Sequence, residues 1–198
     1  MDPLVAAVAL GTIFVVELPD KTFLATLVLS TKYRPLLVWL GVGLAFAVQT
    51  TIAVALGQAA ATWVPEEVVR SVALVLFLVG AVILLKEGLS HAAADDGSEY
   101  ADKAADVHGW KVVTTSFLVL FTAEWGDLSQ LLTLTLVAKY EDPLSVWVGA
   151  LGALLAVSGL AVLAGRTLLR WIPVHVLHFI GAGVCLLLAT LTAWELLG

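Results

Sequence analysis

Three stretches of this chain, residues 35–65, 143–165 and 171–194, contain no Asp, Glu, Lys or Arg. Each is long enough to cross the hydrocarbon core of a bilayer, which takes about 20 predominantly apolar residues in helical form. Runs of this kind between Pro, Gly and charged clusters divide the 198 residues into six expected spans, approximately 4–29, 36–63, 68–88, 112–137, 144–168 and 174–197. The expected fold is therefore all-α, a polytopic membrane protein of six transmembrane helices. Composition agrees, with 61% hydrophobic and 13% charged residues and a mean hydropathy of +1.01, well outside the range of a soluble domain. The net charge of −6 does not mark an acidic soluble binder, because the acids fall in loops and in two motifs inside spans. No basic tail or aromatic-basic stripe points to nucleic acid. The lone Cys185 can form neither an intrachain disulfide nor a thiolate metal site by itself. Residues Met1-Asp2-Pro3 offer no basic leader, and the apolar run behind them exceeds signal-peptide length, so it is read as a mature first span.

An internal repeat narrows the fold further. Residues 17–33 read ELPDKTFLATLVLSTKY and residues 124–140 read EWGDLSQLLTLTLVAKY. At an offset of 107, Glu17 matches Glu124, Asp20 matches Asp127, Thr26 matches Thr133, and Lys32-Tyr33 match Lys139-Tyr140. After a one-residue insertion Trp39 aligns with Trp147, Gly41 with Gly149, Gly57 with Gly165, Trp63 with Trp171 and Pro65 with Pro173. Three spans per half is an odd number, so the second half enters the membrane in the opposite sense, the inverted-repeat plan of many secondary transporters. The expected units are a first three-helix repeat over 1–89, an acidic cytoplasmic linker over 90–110, and a second, inverted repeat over 111–198. One set of connections carries Lys32, Arg34, Lys86, Lys103, Lys111, Arg166 and Arg170; the other carries Arg70 and Lys139. The positive-inside rule puts the first set in the cytoplasm and both termini outside a cell membrane. Within the linker, Asp95, Asp96, Glu99, Asp102 and Asp106 read as a solvated loop, or as a shallow funnel that concentrates cations.

Chemistry concentrates in the repeated motif. Carboxylates inside hydrocarbon cost at least a few kcal/mol each on insertion scales and by default mark an ion or substrate path. Glu17, Asp20, Glu124 and Asp127 are four of them. Positions i and i+3 of a helix share a face, so each pair is expected to aim two carboxylates at one point. Four oxygen donors converging near the bilayer midplane suit a hard divalent cation such as Ca²⁺, Mn²⁺ or Mg²⁺, and the absence of neighbouring Cys or His argues against zinc or copper(I). Pro19 and Gly126 weaken the helix at matched positions, freeing carbonyls such as that of Val15, and Thr22 and Ser129 are matched hydroxyls two residues after each Asp. A purely structural pairing with Lys21 fails on charge, since one lysine cannot neutralise four carboxylates. Bound metal, protons or both must balance the remainder, and their competition is a physical route to antiport. Gln49, Thr50, Gln130 and Ser158 either line the path or join helices. His175 and His178 either pack at the interface or relay protons. Trp39, Trp63, Trp147 and Trp171 read as an aromatic belt.

With Glu17-Leu18-Pro19-Asp20-Lys21-Thr22 and Glu124-Trp125-Gly126-Asp127-Leu128-Ser129 in place, the chain resembles the Gdt-type family of divalent cation/proton antiporters. That family's hallmark is a doubled E-x-G-D-[KR]-[ST] motif on the first and fourth of six spans. The resemblance covers nearly the whole chain and implies export of Mn²⁺, or Ca²⁺, from the cytosol in exchange for protons, with no resident cofactor. It carries over Glu17, Asp20, Glu124 and Asp127 as cation ligands, with Thr22 and Ser129 as their hydroxyl neighbours. Two positions depart from it: Pro19 stands for the usual glycine and Leu128 for the usual basic residue, which leaves Lys21 alone and the site more acidic.

Two other classes compete with a transporter. Paired intramembrane acids also serve hydrolysis of lipid phosphates or peptides, but an enzyme has no use for the motif twice in opposed orientation. An exporter of a small organic solute would want an apolar or aromatic pocket beside the acids.

Overall fold

The computed structural model describes residues 1–18, 20–89, 107–171 and 174–197. The linker acids and Pro19 lie outside them, as do the side chains of Lys21, Trp171 and His175. Eight helices and no strand occur among the described residues: α1 (Pro3–Glu17), α2 (Lys21–Lys32), α3 (Pro35–Trp63), α4 (Glu66–Leu89), α5 (Lys111–Ala123), α6 (Leu128–Tyr140), α7 (Pro143–Trp171) and α8 (Val174–Leu197). Prolines open α1, α3 and α7, where a missing backbone N–H has no intrahelical partner to lose.

Four of the six expected spans, α3, α4, α7 and α8, are single helices at nearly the expected limits. The other two are broken. Residues 4–29 divide into α1 and α2, bent by 70°. Residues 112–137 divide into α5 and α6, each of 13 residues. A 13-residue helix is about 20 Å long against about 30 Å of hydrocarbon, so neither α5 nor α6 is long enough to cross it alone. Both breaks fall on the acidic motif.

The bundle exposes large apolar side chains and buries several polar ones within an otherwise apolar core. On α3, Leu36, Leu44 and Leu56 are more than half exposed, while Gln49 and Thr50 are buried. Glu17, Thr22, Glu124 and Ser129 are likewise buried. An extensive exposed apolar shell, with buried polar groups confined to part of the core, belongs in lipid.

Packing crosses the boundary between the halves. The broken pair α1–α2 lies on α7 of the other half, and α5–α6 lies on α3; α3 also packs on α7, and α4 on α8. The contacts are reciprocal at the level of single residues. A Cβ added to Gly41 of α3 would strike the Val113 carbonyl, Ser116 Cβ and Phe117 N of α5. A Cβ added to Gly149 of α7 would strike the Ala6 carbonyl, Ala9 Cβ and Leu10 N of α1, the same three positions less 107. Trp39 and Trp147 do more than mark an interface: the Trp39 indole donates to the Leu155 carbonyl at 3.1 Å and the Trp147 indole to Thr51 Oγ1 at 3.0 Å, each crossing between α3 and α7. Trp63, 87% exposed, fits the belt. Asp2 N–H donates to Asp142 Oδ2 (2.9 Å) and Ser145 Oγ (2.7 Å), so the start of α1 and the α6–α7 connection share one end of the bundle.

Because backbone meets backbone at these two glycines, Gly41→Leu and Gly149→Leu are each expected to cost about 1–3 kcal/mol through overpacking. Gly11→Ala and Gly183→Ala, where a Cβ meets nothing within 4 Å, should cause no loss. Unfolding midpoints of the purified protein in detergent measure the difference.

Candidate metal centre

Each break is a short turn between one helix that ends and another that starts. Glu17 closes α1 and Asp20 is the N-cap of α2; Glu124 follows α5 and Asp127 is the N-cap of α6. Asp20 N–H donates to the Glu17 carbonyl at 3.1 Å, and Asp127 N–H to the Glu124 carbonyl at 3.3 Å. The two carboxylates of a motif therefore do not share one helical face. They flank a turn, and its backbone sets their separation. In the second half that turn needs Gly126, whose φ of +80° is reached at little cost only without a Cβ. Leu128, in place of a basic residue, packs its Cδ2 against Gly80 of α4.

The turns bring acids of both halves together. Glu17, Asp20 and Asp127 each offer an oxygen within 4.8 Å of the other two. Glu124 also acts on Glu17 electrostatically, as do Asp20 and Asp127. Glu17 is 1% exposed, and neither of its carboxylate oxygens has a hydrogen-bond partner among the described residues, although the Ser129 hydroxyl stands beside it. Thr22 Oγ1 donates to Asp20 Oδ2 at 3.2 Å, and Ser129 N–H to Asp127 Oδ2 at 3.3 Å. A buried carboxylate whose neighbours are carboxylates is tolerated only with bound positive charge or protons. The donors are all oxygen. Opposite ligands of Ca²⁺ stand about 4.6–5.2 Å apart, given its usual oxygen distances, and a smaller ion draws them closer, so the cluster has the dimension of a hard-cation shell.

A small cavity of about 10 Å³ adjoins Glu124, large enough for about one water-sized occupant. It is lined by Gln49, Thr50, Ser129, Gln130 and Thr133 together with Phe46, Ala53 and Leu154. The two glutamines also secure the second break. Gln49 Nε2 donates to the Phe121 carbonyl in the last turn of α5 (3.0 Å), and Gln130 Oε1 accepts from Gly126 N–H (2.9 Å). Their presence in otherwise apolar helices was the only sequence signal for this role. Ser158 bonds within its own helix, to the Leu155 carbonyl at 3.2 Å. His178 is buried with its Cβ toward Gly88 of α4. The Val15 carbonyl lies against Gly181 of α8.

A family model described as divalent cation/proton antiporter GDT1 matches residues 5–92 and 112–198. A GDT1-like protein of Synechocystis is 29% identical over 92% of this chain and 93% of its own length. A candidate manganese exporter of Vibrio cholerae is 31% identical over 96% of this chain and 90% of its own length. The chloroplast protein PAM71 of Arabidopsis thaliana is 28% identical over 93% of this chain and 55% of its own length. No solved structure matches.

Gly126→Ala is expected to destabilise the fold by about 1–2 kcal/mol, and Gly126→Asn by less, because asparagine enters the left-handed region more readily than alanine. Equilibrium unfolding of the two variants in detergent checks the order.

Proposed function

The chain belongs to the GDT1 family of divalent cation/proton antiporters, and from that premise we propose that it exports Mn²⁺ from the cytoplasm in exchange for protons. The observation that carries this reading is the meeting of Glu17, Asp20 and Asp127 within 4.8 Å of one another. The relative named for manganese export, which this chain matches along almost its whole length, supports the choice of ion.

Glu17, Asp20, Glu124 and Asp127 are the proposed ligands, with Thr22 and Ser129 orienting the two aspartates through the contacts described above. Metal and protons compete for the same oxygens. When the site faces the cytoplasm, Mn²⁺ displaces protons from crowded carboxylates; when it faces outward, protons displace Mn²⁺. Coupling then needs no separate proton site. α1 and α5 end at the centre and α2 and α6 begin there, so opposed dipole ends offset one another and the carboxylates supply the charge that favours a cation. In an inverted repeat the same centre opens to either side by rocking one broken pair against the long helices. The reciprocal seating of α1 on α7 and α5 on α3 supports that arrangement. The excess of Lys and Arg on the 32–34, 86–111 and 166–170 side supports a cytoplasmic linker and termini outside the cell membrane.

In proteoliposomes with an imposed pH gradient, Mn²⁺ flux is expected against the proton gradient, with Ca²⁺ and Mg²⁺ as comparison ions. Glu17→Gln and Glu124→Gln should bring flux to background while leaving the unfolding midpoint intact. Thr22→Val should weaken apparent metal affinity by about 10–100-fold, the usual effect of removing a partner of a ligand. Wild-type flux in either glutamine variant would remove the four carboxylates from the transport path.

A further inference from the structure

The cavity beside Glu124 has a counterpart position beside Glu17, and the two can be compared residue by residue. An offset of 107 relates the broken helices and 108 the long ones, so Thr50 corresponds to Ser158, Ala53 to Ala161, Ser129 to Thr22 and Thr133 to Thr26. Two correspondences break the pattern. Gln49 answers to Val157, and Gln130 answers to Phe23.

Those two exchanges coincide with a difference in packing. Phe23 is 2% exposed and, with Val157 and Ala161, forms a compact apolar cluster of its own, backed by Leu18 and Leu27. By the offset of 107, Phe23 corresponds to Gln130, a lining residue of the cavity of about 10 Å³ beside Glu124. On the cavity side, Gln130 Oε1 accepts from Gly126 N–H, which fixes the amide orientation. Its Nε2 is then buried with no hydrogen-bond partner among the described residues. Such a donor in such a cavity calls for a polar occupant.

We propose that the two routes to the acidic centre are chemically distinct: one along α6 is wetted by Gln49, Thr50, Gln130 and Thr133, and one along α2 is sealed by Phe23 against Val157 and Ala161. The proposal takes its passenger from the antiport reading, but the seal itself is a matter of water access. A hydrated cation gives up water ligands to amide and hydroxyl groups along α6; along α2 the hydroxyls of Thr22, Thr26 and Ser158 are retained, but both amides are replaced by the apolar contact of Phe23 with Val157. Movement of Phe23 away from Val157 and Ala161 is then the event that exposes the centre to the second side. Phe23 is a gating residue, not a ligand.

The matched alanines report on the two routes. Single cysteines are introduced at Ala53 and Ala161 on a Cys185→Ala background, and a membrane-impermeant methanethiosulfonate is applied from each side, using spheroplasts and inside-out vesicles. A53C is expected to react from the side that carries the α6–α7 connection. A161C should react about 10-fold or more slowly from the opposite side, as for a position exposed only in a minor state. Phe23→Ala should remove that protection, and Phe23→Leu, which keeps an apolar plug, should retain most of it. Unfolding midpoints identify any variant that merely misfolds, in which case the Leu variant and the two wild-type rates still decide. Equal rates at the two cysteines, no reaction at A53C, or no response of A161C to Phe23→Ala would each overturn the proposal. Mn²⁺ flux measured on the same preparations separates the two readings: absent flux with the labelling asymmetry intact defeats the antiport assignment and leaves the gate standing.

Discussion

The mutual repulsion of carboxylates gathered in an apolar interior is the constraint from which the rest of the architecture follows. Glu17 is almost wholly buried, and its electrostatic neighbours Glu124, Asp20 and Asp127 are all acidic. Such a cluster is unstable unless protons or a cation occupy it. The protein holds it by interrupting two helices at the motif. A continuous helix would have carried each acidic pair past the centre on a rigid face. The interruption instead turns helix ends toward it, with each Asp as the N-cap of the departing helix.

A site assembled from two broken helices needs an unbroken frame. The long helices α3 and α7 supply it, and glycines 41 and 149 let α5 and α1 approach them backbone to backbone. Because each broken pair sits on the long helix of the other half, neither repeat has a complete core alone. Within this nearly duplicated frame, a few unmatched residues introduce direction. Gln49 and Gln130 face Val157 and Phe23 across the relation between the halves, and Leu128 replaces the cation that Lys21 supplies in the first motif. Duplication provides two ways in, and these substitutions make them unequal.

Much of the fold was legible because the solvent imposes it. Four spans were readable to within a few residues as apolar runs, three of them containing charge-free stretches of more than 20 residues, since lipid leaves no alternative to helix for such lengths. The acidic motif stood out for the same reason: a carboxylate in hydrocarbon is rare enough to mark function. The geometry of the motif was not legible. An i, i+3 spacing is compatible with a helical face and with a turn between helices, and local sequence does not choose between them. Weakening at Pro19 and Gly126 was apparent, but the full break, and a φ of +80° at Gly126, became visible only in three dimensions. Gln49 and Gln130 illustrate the same limit, because a lone amide in a span reads equally as helix glue or as path.

By itself, the amino-acid sequence determined the class of solvent, the placement of the long apolar helices and the recurrence of the acidic motif. These are properties of composition and period, and they act locally or through the bilayer. Tertiary structure alone decided that the first helices of each half exchange partners, that acids distant in the chain share one centre, and that Phe23 packs on Val157 and Ala161 while its counterpart Gln130 lines a cavity. Those outcomes depend on which surfaces meet, and close packing selects among contacts that no single segment specifies.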